Sequence, residues 1–288
     1  MRTCTVATDD TDAPADADAP SDTHAAHAAD VEAADIEWSE HFIHALGLEL
    51  WNEDGFTHGR ALLRPEMWAP GTEVPRLGVL ATMVDIVVGM LPTGPVNPTV
   101  DLRLTLLSLP PSQGDIQLVC HPVKLGRQLI VGECLLYVDD PADPFARSTA
   151  TFMNRVVGPQ SSNWGRRDTL PRVPPSFDEL LRARVLGTGI IEMDAHPAVS
   201  NGPGGTIQGG AQALLGEIAA EHSLEALGHY ATVDLEIRFL NRVRTESVVA
   251  TAEILPGELT GVQVRVPLRE TGPDGRIVSL VSTTCRRL

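Results

Sequence analysis

An acidic residue inside an apolar segment is the first feature of the sequence that could do chemistry. Asp85 lies in LGVLATMVDIVVGML (residues 77–91), a run that is too short for a bilayer and is typical of a buried helix. A buried carboxylate is unfavourable unless it is paired or functional, and burial raises its pKa, which suits a general base near neutral pH. The alternative is a structural role, in which Asp85 accepts hydrogen bonds from a helix terminus or a strand hydroxyl.

A glycine-rich segment leads into a second apolar stretch. Residues 200–217 read SNGPGGTIQGGAQALLGE, so several glycines come directly before a predicted helix. The first N–H groups of a helix have no intrahelical acceptor and carry a positive partial charge, so they can bind an anion or a developing oxyanion. The spacing is not GxGxxG and no parallel βαβ pattern surrounds it, which disfavours a dinucleotide site.

An internal repeat relates these two features. TVDL occurs at residues 99–102 and again at 232–235, and an acid in an apolar helix-like segment precedes each copy. The acids are Asp85 and Glu217, which are 132 residues apart, and the TVDL copies are 133 residues apart. Because strand-like runs follow each copy in the same register, we interpret the chain as one unit written twice. A second acid at the matching position favours a functional role for Asp85.

The order of the segments predicts the fold class. Each half has a leading helix, early strand material, one long apolar helix and several strands with polar–apolar alternation. This pattern predicts an antiparallel sheet wrapped around one long central helix, so the fold class is α+β, present twice. The predicted boundaries are a disordered acidic Ala/Asp-rich tail at 1–37, an N-terminal domain at 38–155, a linker at 156–176 and a C-terminal domain at 177–288.

Composition excludes several classes of function. The formal net charge is −16, and residues 1–40 alone contain eight Asp, three Glu and one Arg, which disfavours nucleic acid and anionic membranes as partners. The N-terminus lacks the apolar segment of a secretory signal, and no segment predicts membrane insertion. The four cysteines show no CxxC or metal-ligand spacing, so we expect a cytoplasmic protein without a metal site, in which Cys120 and Cys134 are small buried residues. The absence of GxSxG disfavours an α/β-hydrolase.

The motifs resemble those of a known family. Their layout is an Asn, a few residues, His or Gln with Gly-Gly, six residues, an acid, and then a Ser or Thr that opens a strand. This layout resembles that of the hotdog-fold acyl-CoA thioesterases, nearest to the phenylacetyl-CoA and 4-hydroxybenzoyl-CoA thioesterase branch. The first half departs from it, with Arg76 in place of His or Gln and Leu77 in place of the first Gly. The matching residues are Asn201, Gln208, Gly209, Gly210, Glu217 and Thr232 in the second half, and Gly78, Asp85 and Thr99 in the first.

The resemblance implies a tandem double hotdog, which is an intramolecular pseudo-dimer with sites shared between its halves. One half supplies the acid and its hydroxyl partner, and the other supplies the oxyanion-binding amide and its Asn. The first composite site would contain Asp85, Thr99, Asn201, Gln208 and the Gly209 amide. The second lacks a matching Asn, so we expect it to be impaired; it would contain Glu217, Thr232, Arg76, the Leu77 amide and Gly78.

The resemblance also implies an activity in lipid metabolism, the hydrolysis of an acyl-CoA thioester to a free acid and CoA. Asp85 would act as a general base on water or as a nucleophile that forms an anhydride, and the Gly209 amide would stabilise the oxyanion. Gly210 and, more weakly, Arg127 in a loop between strands would contact the coenzyme. No cofactor is implied beyond coenzyme A in the substrate, and a homodimer of double hotdogs is expected.

Two other functions remain compatible with the sequence. The altered RLG motif at residues 76–78 is compatible with a non-catalytic acyl-CoA or acyl-carrier binding protein. A hotdog hydratase or dehydratase would need an Asp and His pair near the helix, and the predicted central helices have no His at that position. The aliphatic residues suit either a medium aliphatic chain or a small ring, so the acyl group stays open.

Overall fold

A computed structural model describes residues 41–90, 98–154, 176–200, 206–243, 247–257, 261–272 and 274–288. These residues all belong to one unit, Asp35–Leu288. The predicted acidic tail (1–37), nearly all of the predicted linker (156–176) and the predicted site residue Asn201 lie outside the described residues.

The strands of the described residues form one antiparallel sheet. Their bounds are β1 Glu49–Glu53, β2 Phe56–Leu62, β3 Thr99–Leu106, β4 Asp115–Leu125, β5 Leu129–Tyr137, β6 Ala146–Met153, β7 Arg184–Gly187, β8 Ile190–Asp194, β9 Tyr230–Phe239, β10 Ser247–Thr251, β11 Glu253–Leu255, β12 Val262–Glu270 and β13 Ile277–Arg287. Across the sheet the order is β1-β2-β4-β5-β6-β3-β9-β13-β12-β10-β8-β7, and β11 pairs with β12.

Polar–apolar alternation explains why these segments are strands. In β6, the buried residues Ala146, Ser148, Ala150 and Phe152 alternate with more exposed neighbours. Successive side chains of a strand point to opposite faces, so this pattern buries one face of the sheet and leaves the other in contact with solvent.

The described residues contain three α-helices, α1 (Leu77–Gly89), α2 (Phe177–Leu181) and α3 (Gly209–Leu224). Ten of the thirteen residues of α1 are buried, as its nearly continuous apolar sequence predicts. The short helix α2 begins with a capping box, in which Ser176 and Glu179 satisfy each other's backbone N–H groups.

Helices α1 and α3 cross at very short range. A Cβ atom on Gly78 would lie 2.5 Å from the Leu214 backbone, and a Cβ atom on Gly210 would overlap the side chain of Thr82. Glycine is therefore required at both positions, because only its bare backbone fits against the partner helix. Since Gly78 meets Leu214 and Thr82 meets Gly210, the two helices run in opposite directions through the crossing.

The sheet has the same strand order when it is followed inward from either edge. From one edge the order is β1-β2-β4-β5-β6-β3, and from the other it is β7-β8-β10-β12-β13-β9. The two series meet where β3 pairs with β9, so the two TVDL copies lie on neighbouring strands. Charges alternate across this seam, with Asp101 opposite Arg238 and Arg103 opposite Glu236.

The helices at the start of the two halves are shorter than the sequence predicts. The first forms only a 3₁₀ turn at His44–Leu46 in its described part, and the predicted helix FDELLRARVLG ends at Leu181, after which RVLG forms β7. Their phenylalanines, Phe42 and Phe177, make an edge-to-face contact with ring centroids 5.3 Å apart. Burial of these apolar side chains, rather than helix length, positions the two segments.

Cys120 and Cys134 are buried, as predicted, but they are not simple apolar residues, because they form a disulfide. The structure joins them in a disulfide, because they lie directly opposite each other on β4 and β5. The sequence separation of 14 residues does not predict this pairing, because the pairing depends on the register of the two strands. The cysteines therefore no longer favour a reducing compartment. Among the described residues, no helix has the length and apolarity needed to cross a membrane.

Candidate active site

Asp85 and Thr99 form a hydrogen-bonded pair. Asp85 lies on the third turn of α1, and Thr99 is the first residue of β3. The Thr99 hydroxyl donates to Asp85 Oδ1 over 2.5 Å, and both side chains are partly buried. Burial raises the pKa of Asp85 to about 6, and the hydrogen bond from Thr99 opposes that rise. The carboxylate is therefore a base whose pKa lies close to neutral pH.

The start of α3 is fixed by glutamine side chains. Gln208 is the N-cap residue, and its side-chain oxygen accepts the Ala211 N–H over 2.9 Å. Gln212 donates to the Ile207 carbonyl over 2.9 Å and accepts a hydrogen bond from the buried Ser279 hydroxyl. These contacts hold the backbone on both sides of Gly209 in one position.

Two N–H groups at this helix start are available. Gly209 and Gly210 are the first two residues of α3, so their N–H groups have no intrahelical acceptor. Within the described part of the chain, no acceptor is bonded to either group. Gly209 is partly exposed, and the Phe239 ring packs against it, since a Cβ atom there would lie 2.9 Å from the ring.

The helix crossing directs Asp85 toward this helix start. Thr82 touches Gly210, and Asp85 follows Thr82 by three residues, which is nearly one turn on the same face of α1. Because α1 and α3 run in opposite directions, that turn faces the residues just before Gly210. The turn of α1 that carries Asp85 therefore lies near the start of α3.

The equivalent acid of the other half makes different contacts. Glu217 accepts the Leu77 N–H at Oε1 over 2.9 Å and the Gly78 N–H at Oε2 over 2.7 Å. All three residues are buried, and Glu217 is only 1% exposed. At this site, the protein's own glutamate occupies both helix-start amides.

An ion-pair network fills the remaining space around Glu217. Arg76 is 4% exposed and bonds both carboxylate oxygens of Asp178 as well as Glu221. The Thr232 hydroxyl and N–H both donate to Glu221, so Thr232 does not pair with Glu217 as the implied second site required. Burial raises the pKa of Glu217 to about 8, while the Arg76 guanidinium stabilises its charged form. The neighbouring carboxylates raise the pKa of Arg76.

The residues at corresponding positions around the two acids differ. Isolated bridges join Trp68 to Pro75 and Ser200 to Ile207, which fixes the 132-residue register before the two helices. In that register Ala69, a buried residue, corresponds to Asn201, which lies outside the described residues. Gly89 likewise corresponds to Glu221, so no side chain is available at that position to fill the Asp85 site.

The remaining predicted residues lie outside this pair of contacts. Gly78 and Gly210 both serve the helix crossing, and the Gly210 N–H also belongs to the open helix start. Arg127 is exposed in the turn between β4 and β5, away from these contacts. In the described ranges, no group of three or more His, Cys, Asp or Glu residues could hold a metal ion.

Sequence reasoning missed three contributors to these sites. Glu221 lies four residues after Glu217, so its place on the same helix face was a usable signal. The same spacing relates Gln208 to Gln212, which both fix the start of α3. Phe239 carried no such signal, because its contact with Gly209 depends on how β9 packs against α3.

Comparison with known proteins identifies the fold. No family model matches the chain, and no curated protein matches it. Among solved structures, a conserved protein with a hot dog fold from Alicyclobacillus acidocaldarius matches with a TM-score of 0.53 and 13% identity, over 86% of this chain and 99% of that one. The chain has the hotdog fold.

Other hotdog structures that match are named as thioesterases or carry the tesB name. The tesB protein of Mycobacterium avium subspecies paratuberculosis matches with a TM-score of 0.59 and 13% identity, over 84% of this chain and 96% of that one. The acyl-CoA thioesterase II TesB2 of Mycobacterium marinum matches with a TM-score of 0.51 and 13% identity, over 85% of this chain and 98% of that one. The structural match to this chain therefore covers almost the full length of both proteins.

Proposed function

We propose that the protein is an acyl-CoA thioesterase that hydrolyses a thioester to a free acid and CoA at the Asp85 site. One observation carries the proposal: Asp85, whose pKa burial raises to about 6, lies one turn beyond the contact of α1 with Gly210, and the first N–H groups of α3 at that contact have no acceptor among the described residues. A base opposite an oxyanion donor is the arrangement that acyl transfer to water needs. The names of the hotdog proteins with matching structures agree with this reaction class.

Each residue has a defined task in the proposed reaction. The thioester carbonyl oxygen accepts a hydrogen bond from the Gly209 N–H, and that bond strengthens as the oxygen becomes negative. Asp85 either takes a proton from the attacking water or attacks the carbonyl carbon itself, which gives an anhydride that water then opens. The C–S bond breaks, and the CoA thiolate takes up a proton. Thr99 holds Asp85 in position, and Asn201 and Gln208 complete the oxyanion side.

The proposal includes one competent site in a tandem double hotdog. The units are residues 38–155 and 177–288, joined by the segment 156–176, and the matching strand orders of the two sheet halves support them. The Leu77 and Gly78 amides already bind Glu217, so they are not available to a substrate oxygen. The active site thus takes its base from the first half and its oxyanion donor from the second.

Further parts of the proposal follow from the reaction class. Coenzyme A enters as part of the substrate, and the exposed Arg127 is a candidate contact for its phosphates. No other cofactor is proposed, and the location is proposed to be the cytoplasm. A homodimer of double hotdogs is the proposed assembly.

The alternative functions are disfavoured by specific contacts. A non-catalytic acyl-CoA or acyl-carrier binding protein has no need for a carboxylate with a raised pKa opposite free amides. A hydratase or dehydratase would need a histidine near the acid. In the described central helices the histidine is His222 on α3, and it accepts the Gly189 N–H instead.

Release of free thiol from a panel of acyl-CoAs tests the proposal. Wild type is expected to turn over at least one acyl-CoA, and Asp85→Asn is expected to lose roughly 10²–10⁴ in kcat because the base is gone. Glu217→Gln is the matched variant at the equivalent position, assayed below its melting temperature. Loss confined to Asp85→Asn supports the single site. Equal loss in both variants, or no turnover by wild type across the panel, contradicts the proposal.

A further inference from the structure

The length of one side chain separates the two helix starts. Glu217 reaches across the crossing and bonds both Leu77 and Gly78. Asp85 occupies the equivalent position on α1, but its side chain is one methylene shorter. Its hydrogen bond is with Thr99, on its own half, and not with the opposite helix.

The first residue of the helix differs between the two helix starts. Glu217 fits beside Leu77, whose side chain is fully buried at the start of α1. The corresponding residue at the start of α3 is Gly209, which has no side chain and is partly exposed. Residue 209 therefore places no side chain beside the start of α3, and the Phe239 ring packs against its backbone.

The energetics also favour contact with the helix start. A glutamate at position 85 could accept two backbone N–H groups at the positive end of α3, whereas the present aspartate accepts one hydroxyl from Thr99. The other half shows the same preference, because Glu217 takes the two amides while the Thr232 hydroxyl bonds Glu221.

We propose that the length of the acid at this helix position decides whether the opposite helix start is open to a substrate oxygen or closed by the protein itself. Asp85 is too short to bond the Gly209 and Gly210 amides, which have no acceptor among the described residues. In Asp85→Glu, the carboxylate would bind both amides and close the site, although the acidic group is retained. The consequence for catalysis rests on the proposed thioesterase function, whereas the capping of α3 does not.

Amide NMR of the free, full-length protein tests the capping directly. In Asp85→Glu, the Gly209 and Gly210 amide protons are expected to move downfield, and both should follow the titration of one carboxyl group. The added cap is expected to raise the melting temperature by roughly 2–4 °C. Asp101→Glu, a matched change on β3, controls for the substitution itself and should leave both amide resonances in place.

Thiol-release kinetics of the same variants test the consequence. Because an oxyanion donor is commonly worth about 10²–10³ in kcat, Asp85→Glu is expected to lose at least about 100-fold, with Asp101→Glu close to wild type. Unchanged Gly209 and Gly210 resonances in Asp85→Glu would overturn the inference even if activity fell, because the loss would then come from a misplaced base. Wild-type activity in Asp85→Glu would also overturn it. If wild type turns over no acyl-CoA, the proposed function fails, and the amide shifts still decide the capping.

Discussion

At the scale of single residues, Asp85 and Glu217 occupy equivalent helix positions but make different hydrogen bonds. Both acids lie at the same place in an apolar helix, and burial raises the pKa of both. Glu217 accepts a backbone N–H group at each of its two carboxylate oxygens, whereas Asp85 Oδ2 has no hydrogen-bond partner among the described residues. A carboxylate that is bonded at both oxygens stabilises the fold, whereas one with an unbonded oxygen is a candidate for a functional role.

The Thr99 hydroxyl is expected to set the pH dependence of activity. It lowers the pKa of Asp85, so Thr99→Val should raise that pKa further. The ascending limb of kcat/KM, expected near pH 6 in wild type, should move to higher pH. Thr99→Ser keeps the hydroxyl and should keep the limb in place. The check is a pH–rate profile of thiol release, and an unchanged limb in Thr99→Val would show that the bond does not tune the base.

The charge on Asp85 is expected to reduce stability above pH 6. Its pKa in the folded state is about 6, raised from the ordinary value of 3.8, so the folded state binds the proton more tightly than the unfolded state. The resulting stabilisation is present below pH 3.8 and is lost as pH rises through about 6. Asp85→Asn avoids the loss and should exceed wild type by roughly 1–2 kcal/mol at pH 8.

Urea unfolding of both proteins at pH 4 and pH 8 measures this difference. The gain of Asp85→Asn over wild type should be larger at pH 8 than at pH 4. A gain that does not depend on pH would mean that Asp85 is not desolvated in the folded protein.

At this scale, the sequence identified the acid but not all of its surroundings. Asp85 is conspicuous because a carboxylate rarely lies in an apolar run, and Glu217 because the repeat marks it. The pairing of Thr232 with Glu221 could not be foreseen, because it depends on Arg76 drawing Glu221 into the network. Side-chain partners are set by packing, which residue spacing alone does not specify.

At the scale of elements, the crossing of α1 and α3 positions both helix starts. Its short range depends on Gly78 and Gly210, which have no side chains to separate the backbones. The repeat predicted both helices from their apolar sequences. It did not predict that Gly210 would also allow the close packing of the two helices. A glycine in a sequence does not show which neighbour approaches it.

A methyl group at the crossing is expected to destabilise the fold. Gly210→Ala would overlap Thr82, and overpacking of this kind typically costs about 1–3 kcal/mol. Gly187→Ala is the matched control, since a Cβ atom there would make only an ordinary 3.7 Å contact with Ile190. Addition of Thr82→Gly should recover part of the Gly210→Ala loss, because it removes the colliding side chain. Equal melting temperatures for wild type and Gly210→Ala would rule out the tight crossing.

At the scale of the whole molecule, the same strand order runs inward from both edges of the sheet, and the two series meet where β3 pairs with β9. The α+β antiparallel architecture could be read from alternation, and the register of 132–133 residues located the acids and the TVDL strands. The disulfide between Cys120 and Cys134 could not be read, since it requires knowing which strand residues face each other. The binding of Glu217 to the start of α1 could not be read from the sequence either, because it depends on contacts between the halves.

We propose that each chain has one open site, and the stoichiometry of ligand binding tests this proposal. The measurement is calorimetric titration of wild type with a thioether analogue of an acyl-CoA that wild type turns over, which keeps the ligand but cannot be hydrolysed. We expect one analogue bound per chain, because Glu217 occupies the Leu77 and Gly78 amides. Two analogues bound per chain would contradict it, and so would undiminished binding to Asp85→Glu.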